Sequence, residues 1–326
     1  MRDLSATGIA CANLAFVKYW GNREDRINLP SNGSISMNLD GLTTRTRVAF
    51  TPGLPADVLN INGLPASEPA RQRVAQSLDQ VRSLSGLSLF ARVESSSNFP
   101  MGAGIASSAS AFAALGLAAS KAAGLSLCEK DLSRLARIGS GSACRSIPGG
   151  FVEWQAGGSD ANSYAFSIAP PDHWDLVDCI AVISTAPKPT GSTQGHRLAG
   201  SSPFQAARLI KVQQDLAFCR RAILERDFDA LAQVVELESN LMHAVMLTST
   251  PALIYWQPAT LAVMQTVQEW RSTGLPVCYS VDAGPNVHVV CPTAEAVGVS
   301  DRLSQFPSVE QVLVAHPGGP ARLVEV

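Results

Sequence analysis

The sequence predicts an α+β protein of two units, and three observations lead there. Its 326 residues exceed the ~100–200 of an ordinary domain. Short alternating stretches and helical stretches are interleaved through the first half, and a Pro-, Gly-, Ser- and Thr-containing loop at 188–202 precedes long helices and closing strands. Residues 1–183 are therefore read as one unit and 184–326 as a second. In the first, 44–50 alternates polar and apolar residues and 91–94 does so more weakly, the period of half-buried strands. Between 69 and 84, Val74, Leu78, Val81 and Leu84 recur at helical spacing, with Pro69 suited to a first turn and Gly86 to a stop. The Ala- and Ser-rich stretch 107–123 predicts a tightly packed helix ending at Gly124. In the second unit Ser202-Pro203, Asp227 and Pro258 each open a helical pattern. Strands at 276–281 and 286–291 flank the turn Asp282-Ala283-Gly284-Pro285, and 311–316 reads as a last strand.

Composition narrows the function classes. Hydrophobic residues at 46% and charged residues at 16% supply a core and exclude a disordered chain. The formal charge of −2 lacks the basic excess of a nucleic-acid binder. The longest apolar stretch, 111–119, is far short of the roughly 20 residues that span a bilayer. The N-terminus reads as no signal peptide. Seven scattered cysteines without a C-x-x-C predict reduced thiols and a cytoplasmic protein, in which the Asn32-Gly33-Ser34 match is chance.

Four segments carry chemistry. Pro100 to Ala109 (P-M-G-A-G-I-A-S-S-A) lets backbone amides converge before a helix N-terminus, which suits a polyphosphate, with Ser107 and Ser108 as phosphate or Mg²⁺ ligands. An ordinary small-residue turn before a buried helix fits the composition equally, and no Walker loop is present. In G-S-G-S-A-C-R-S, Ser140, Ser142 and Arg145 form a group able to hold a phosphate or carboxylate, the alternative being a solvated turn. Asn13, Lys18, Tyr19 and Trp20 lie in A-N-L-A-F-V-K-Y-W-G, where an isolated lysine otherwise reads as a snorkelling residue. Asp282 sits either in a turn bonding its own backbone or as a partly desolvated base at a strand end. The five histidines show no zinc spacing, Cys144 reads as a packing residue, and no G-x-S-x-G elbow exists.

Together, N-L-A-F-V-K-Y-W-G with L-P-S-N-G-S-I-S-M-N-L-D, then S-S-N-F-P-M-G-A-G-I-A-S-S-A-S-A-F-A-A-L, G-S-G-S-A-C-R-S-I-P-G-G-F-V-E-W, M-H-A-V-M-L and D-A-G-P-N, resemble the diphosphomevalonate and phosphomevalonate decarboxylase family of the GHMP small-molecule kinase superfamily. The resemblance implies an N-terminal domain like ribosomal protein S5 domain 2, a ferredoxin-like C-terminal domain and a site in the cleft between them. It implies ATP and Mg²⁺ as cofactors and a homodimer. The implied reaction phosphorylates the tertiary 3-hydroxyl of a 5-phosphorylated mevalonate, then releases phosphate and CO₂.

By this resemblance Asp282 stands by the 3-hydroxyl and Lys18 neutralises charge on the transferred phosphoryl. Ser96, Asn98, Gly102, Ala103, Gly104, Ser107 and Ser108 cradle ATP, the two serines near its metal. Asn13, Tyr19, Ser140, Ser142 and Arg145 bind substrate. Asn22 stands where the family has a lysine for the diphosphate, and Arg71, Arg73 or Arg23 is expected to compensate; His196 stands in the place of a usual methionine. The missing charge tilts the expectation to 5-phosphomevalonate, with 5-diphosphomevalonate left open beside it. A mevalonate-type kinase without decarboxylation and a non-catalytic nucleotide-binding homologue are the alternatives.

Overall fold

The computed structural model describes residues 4–324 apart from 101–104, 106, 187 and 189. The chain opens with β1 (Ser5–Val17), buried over nearly its whole length. A small hairpin, β2 (Asn22–Glu24) and β3 (Leu29–Pro30), leads into the long β4 (Ser34–Phe50). Next come β5 (Val58–Ile61), β6 (Leu64–Pro65), α1 (Glu68–Ser85) and β7 (Ala91–Ser97). Helices α2 (Ser107–Ala122) and α3 (Glu129–Gly139) and strands β8 (Phe151–Gln155) and β9 (Tyr164–Ala169) follow. The chain then runs through β10 (Leu176–Val182), α4 (Ser192–Leu198), α5 (Gln205–Glu225), α6 (Phe228–Thr248) and α7 (Pro258–Ser272). It ends with β11 (Cys278–Val281), β12 (Val287–Pro292), α8 (Ala296–Ser304), β13 (Gln311–Ala315) and β14 (Arg322–Val324). Among the described residues no helix is long and apolar enough to cross a membrane.

The first sheet runs β14-β1-β4-β7-β5-β6, with β8 on the first half of β4 and β9 on β8; only β5 and β7 are parallel. One face carries α1, α2 and α3 on Ala6, Ala10, Val48, Phe50 and Val93. The other face of β1 and β4, through Leu14, Phe16, Ile35 and Met37, packs into a core that also holds Val212 and Leu216 of α5 and Val234 and Val235 of α6. That core continues into Leu176, Ile180, Cys278 and Val290 of the second sheet, so both units share one apolar interior.

The second sheet runs β11-β12-β10-β13, all antiparallel. Taken in chain order β10, β11, β12, β13, this is the spatial order 4-1-3-2 of a split β-α-β-β-α-β unit, the ferredoxin-like arrangement the resemblance implies. The division after residue 183 therefore needs correction. β10, assigned by sequence to the first unit, is hydrogen-bonded between β12 and β13 and supplies the second sheet's first strand. At the other end β14 returns to pair with β1.

Local chemistry explains the elements. α1 ends where Gly86 takes φ 70°, and the carboxylate of Asp227 accepts the N–H of Ala230 to cap α6. The loop expected at 188–202 contains the two-turn α4. Close packing of β1 on α2 depends on Gly8, where an added Cβ stands 2.6 Å from the carbonyl oxygen of Ala114, a backbone atom that cannot step aside. Gly8→Ala is expected to cost about 1–3 kcal/mol of stability through overpacking, read as a lower denaturation midpoint at unchanged slope.

Candidate active site

Lys18 follows the last residue of β1 and Asp282 the last residue of β11, so two strand ends from different sheets meet. Lys18 Nζ donates to Asp282 Oδ1 at 2.5 Å; the lysine side chain is 1% exposed and the carboxylate 20%. Burial pulls the Lys18 pKa below the ordinary lysine value in spite of this partner, with Arg145 acting in the same direction. Burial alone would raise Asp282, but Lys18, His288 and Arg145 together hold it below the usual carboxylate value.

A buried clamp fixes Lys18. Glu238 Oε2 on α6 accepts the Lys18 backbone N–H at 3.1 Å and Arg208 Nη2 at 3.0 Å. Arg208 on α5 also donates to the Lys18 carbonyl at 2.6 Å, which Asn32 Nδ2 reaches at 2.8 Å. The same helix fixes the approach to Asp282. β11 is an edge strand whose outward N–H groups need partners; Glu236 Oε1 accepts that of Tyr279 at 3.2 Å and Ser239 Oγ that of Val281 at 2.9 Å. His243 Nε2 lies 3.3 Å from the Val281 carbonyl oxygen. Sequence reasoning missed Glu236, Glu238, Ser239, His243 and Arg208. For Glu236, Ser239 and His243 the signal was their 3- and 4-residue spacing, which puts three polar groups on one buried helix face.

The predicted binding residues gather beside this pair. Arg145 Nη1 donates to Ser34 Oγ at 2.6 Å and Nη2 to Asn13 Oδ1 at 3.0 Å, while Asn13 Nδ2 reaches Ser146 Oγ at 2.8 Å. Ser108 Oγ and Ser140 Oγ stand 3.1 Å apart, and Ser140 and Ser142 3.5 Å, which joins the head of α2 to the serine loop. Tyr19 is buried against the serine loop; a Cβ on Gly141 would lie 2.6 Å from its ring, so glycine lets the loop approach. Lys188 and His196 also approach the pair. Lys188 Nζ donates to the Ala283 carbonyl at 2.7 Å, with its pKa lowered to about 8 by burial. His196 stacks 4.1 Å from Tyr19 and accepts the Gly21 N–H on Nδ1, its pKa lowered to about 3 by burial and by Lys188, Arg145 and Arg208.

Other expected residues lie elsewhere. Gly102, Ala103 and Gly104 fall outside the described residues. Arg71 is exposed and paired with Glu68 at 2.5 Å, away from this cluster. Ser96 lines a cavity of about 400 Å³ with Arg45, Arg47 and Asn60, a lining that includes neither Lys18 nor Asp282. Asn98 bridges the Thr43 N–H at 2.9 Å and the Gly41 carbonyl at 2.7 Å, a turn-holding role. Arg73 does come close: its guanidinium lies over Phe112 and donates to the Gly139 carbonyl at 2.9 Å, next to Ser140. For a metal, Ser107 and Ser108 offer hydroxyl oxygens at a helix N-terminus, and no group of three His, Cys, Asp or Glu able to hold an ion occurs among the described residues. Such hard, sparse donors fit Mg²⁺, which keeps waters and shares substrate phosphates.

Two α/β units, a ferredoxin-like second sheet, a buried lysine–aspartate pair and a serine at a helix N-terminus are the arrangement that the resemblance to the GHMP small-molecule kinase superfamily implies. A diphosphomevalonate decarboxylase-like N-terminal domain model matches residues 10–165, and a mevalonate 5-diphosphate decarboxylase C-terminal domain model matches 179–318. The diphosphomevalonate decarboxylase of Saccharomyces cerevisiae is 37% identical over 307 residues, 88% of this chain and 77% of that protein. A solved structure of the mevalonate diphosphate decarboxylase from Enterococcus faecalis, concerned with mevalonate diphosphate-mediated ATP binding, is similar at TM-score 0.91 and 37% identity over 99% of both chains. Another, of MDDEF in complex with MVAPP, AMPPCP and magnesium, reaches 0.93 at 38% identity over 99% of both. The chain belongs to the diphosphomevalonate decarboxylase family.

Glu238→Gln keeps the shape of the clamp but leaves Arg208 without its buried counter-charge. A loss of about 3–5 kcal/mol is expected, measured by equilibrium unfolding.

Proposed function

We propose that this protein uses ATP to phosphorylate the tertiary 3-hydroxyl of a mevalonate carrying phosphate at C5, and then eliminates phosphate and CO₂. The observation that carries the reading is the Lys18–Asp282 pair at the cleft, with Arg145 and the Ser108–Ser140 hydroxyls beside it. Asp282 orients the 3-hydroxyl and takes its proton as the oxygen attacks the γ-phosphorus of ATP. Lys18 meets the negative charge that gathers on the transferred phosphoryl. The C3–O bond then breaks, inorganic phosphate leaves with the electron pair, and positive charge develops at C3. The C1–C2 bond breaks, its electrons become the C2=C3 double bond, and C1 leaves as CO₂. Arg145, anchored by Ser34 and Asn13, holds the substrate's anionic end so that binding energy fixes the reacting hydroxyl. Ser107 and Ser108 would hold Mg²⁺ with the ATP phosphates, and the ion supplies charge neutralisation there. The same reading includes a homodimer in the cytoplasm.

For the substrate, similarity supports 5-diphosphomevalonate, since the S. cerevisiae and E. faecalis relatives are named for the diphosphate. The expected preference for the monophosphate finds no support among them. One local observation favours the monophosphate as a second reading. Asn22 accepts the Tyr19 hydroxyl and donates to Asp25 at 3.0 Å, and none of the three compensating arginines stands free. Arg23 is spent on the carbonyls of Pro30, Ala156 and Gly157, Arg71 on Glu68, and Arg73 on Gly139.

Assays of the purified protein with ATP, Mg²⁺ and each compound, following ADP and CO₂ together, test both readings; ADP without CO₂ would mark a simple kinase. Asn22→Lys is expected to raise kcat/KM for the diphosphate relative to the monophosphate by about tenfold, the worth of one charge-assisted contact. Asp282→Asn is expected to cut kcat by about two orders of magnitude or more while the Kd for ATP stays within about twofold, since the amide keeps the size and loses the charge. Equal losses in both would remove Asp282 from the chemistry.

A further inference from the structure

In the sheet whose edge strand leads to Asp282 lies a second ion pair that the reaction as written does not use. Asp178 of β10 and His288 of β12 are 0% and 1% exposed, with Nδ1 and Oδ2 2.7 Å apart. His288 Nε2 and Asp178 Oδ1 are buried without a hydrogen-bond partner among the described residues. Both side chains lie on the sheet face that carries Ile180 and Val290 into the shared core, opposite the face of Val177, Tyr279 and Val289. His288 is directly opposite Ser280 in the β11–β12 register, and Asp282 is two residues beyond Ser280 on the same strand path. The sheet therefore lines up Asp178, His288, Ser280 and Asp282 toward the site.

A buried pair of this kind contributes little stability relative to well-packed apolar residues, so its position calls for another account. Lys18 has two anionic clients during catalysis, Asp282 at rest and the phosphoryl group in transfer. A buried carboxylate whose nearest cation turns to another anion drifts toward the neutral form and stops orienting a hydroxyl as a base. We propose that His288, paired with Asp178, is a positioning residue whose charge holds Asp282 ionised while Lys18 engages the phosphoryl group. The charged groups facing His288 are Asp178 from β10, Asp282 beyond β11 and Lys18 beyond β1. Burial pulls His288 down, and Asp178 and Asp282 outweigh it, leaving the imidazole above its ordinary value. After burial and Lys18, His288 is the next influence on Asp282, ahead of Arg145.

The inference rests on Asp282 acting as proposed above, and the test separates the two. His288→Gln keeps a donor for Asp178 and removes the positive charge. Asp282 is ionised above its depressed pKa, so losing a cation raises that pKa and activity fails sooner as pH falls. The acid limb of the kcat–pH profile is expected to move up by roughly one unit, while the alkaline limb and the KM for ATP stay within error. His288→Lys is expected to restore the acid limb. If wild-type protein releases no CO₂ from either mevalonate phosphate, the proposed function fails. If it does, and His288→Gln lowers the melting temperature but leaves the limb in place, the pair is structural and the inference falls. Should the single variant fail to fold, Asp178→Asn/His288→Gln, a neutral hydrogen-bonded pair, must show the same upward movement or the inference falls.

Discussion

The contact between Lys18 and Asp282 is the constraint on which the rest of the structure depends. Its partners are separated by 264 positions and follow strands of different sheets. Neither sheet orients both groups, so the joint between the units must be rigid. The chain meets this with a core common to both, in which β1 and β4 share apolar neighbours with α5, α6, β10 and β12. Side chains interdigitated at interior density resist small displacements, and a 2.5 Å contact tolerates few.

α6 is where packing and chemistry are joined. An amphipathic helix at this interface needs only apolar residues on its inner face, and Leu231, Val234, Val235, Met242 and Met246 supply them. Within that face Glu236, Ser239 and His243 serve the backbone of the strand before Asp282, and Glu238 serves the backbone of Lys18. One rigid helix thus sets both halves of the pair. The arrangement also removes the edge-strand problem at β11, whose outward N–H groups at Tyr279 and Val281 find side-chain acceptors instead of a second chain.

What the sequence revealed follows the same physics. The second half of β4 has one face toward solvent at Arg45 and Arg47, so its alternation was legible. Its first half and β1 are covered on both faces, and a strand without a wet face carries no period-2 signal. β10, buried at every position, was placed by sequence in the first unit, because pairing partners 106 or more residues away, as Val287 is from Ala181, leave no local trace. The motif residues Lys18, Asp282, Arg145, Ser108 and Ser140 were legible because a charge or hydroxyl beside glycine and apolar runs is conspicuous. Glu238 and Arg208 were not, since an acid or arginine in a helix ordinarily faces water; only tertiary packing turns them inward. Arg71 misled for the opposite reason. Proximity to a motif gave it a role, whereas Glu68 three residues earlier takes up its charge.

The cleft's electrostatics favour an anionic guest more firmly than any single contact does. An ammonium 2.5 Å from a carboxylate normally gains pKa; Lys18 loses it, because burial outweighs Asp282 and Arg145 adds repulsion. Lys188 is likewise lowered, and His196 is kept neutral in part by Lys188, Arg145 and Arg208. Burial is the first cause of each shift, so these groups stand where water does little to solvate a positive charge. Cations held with so little solvation oppose folding in the empty state, and an anionic guest offsets that cost. Phosphates and a carboxylate supply the missing negative charge, and each raises the pKa of the cations it meets. On the role proposed for Lys18, the transition state of phosphoryl transfer draws most from this, because its charge would gather where the ammonium already stands and no solvent would need to reorganise.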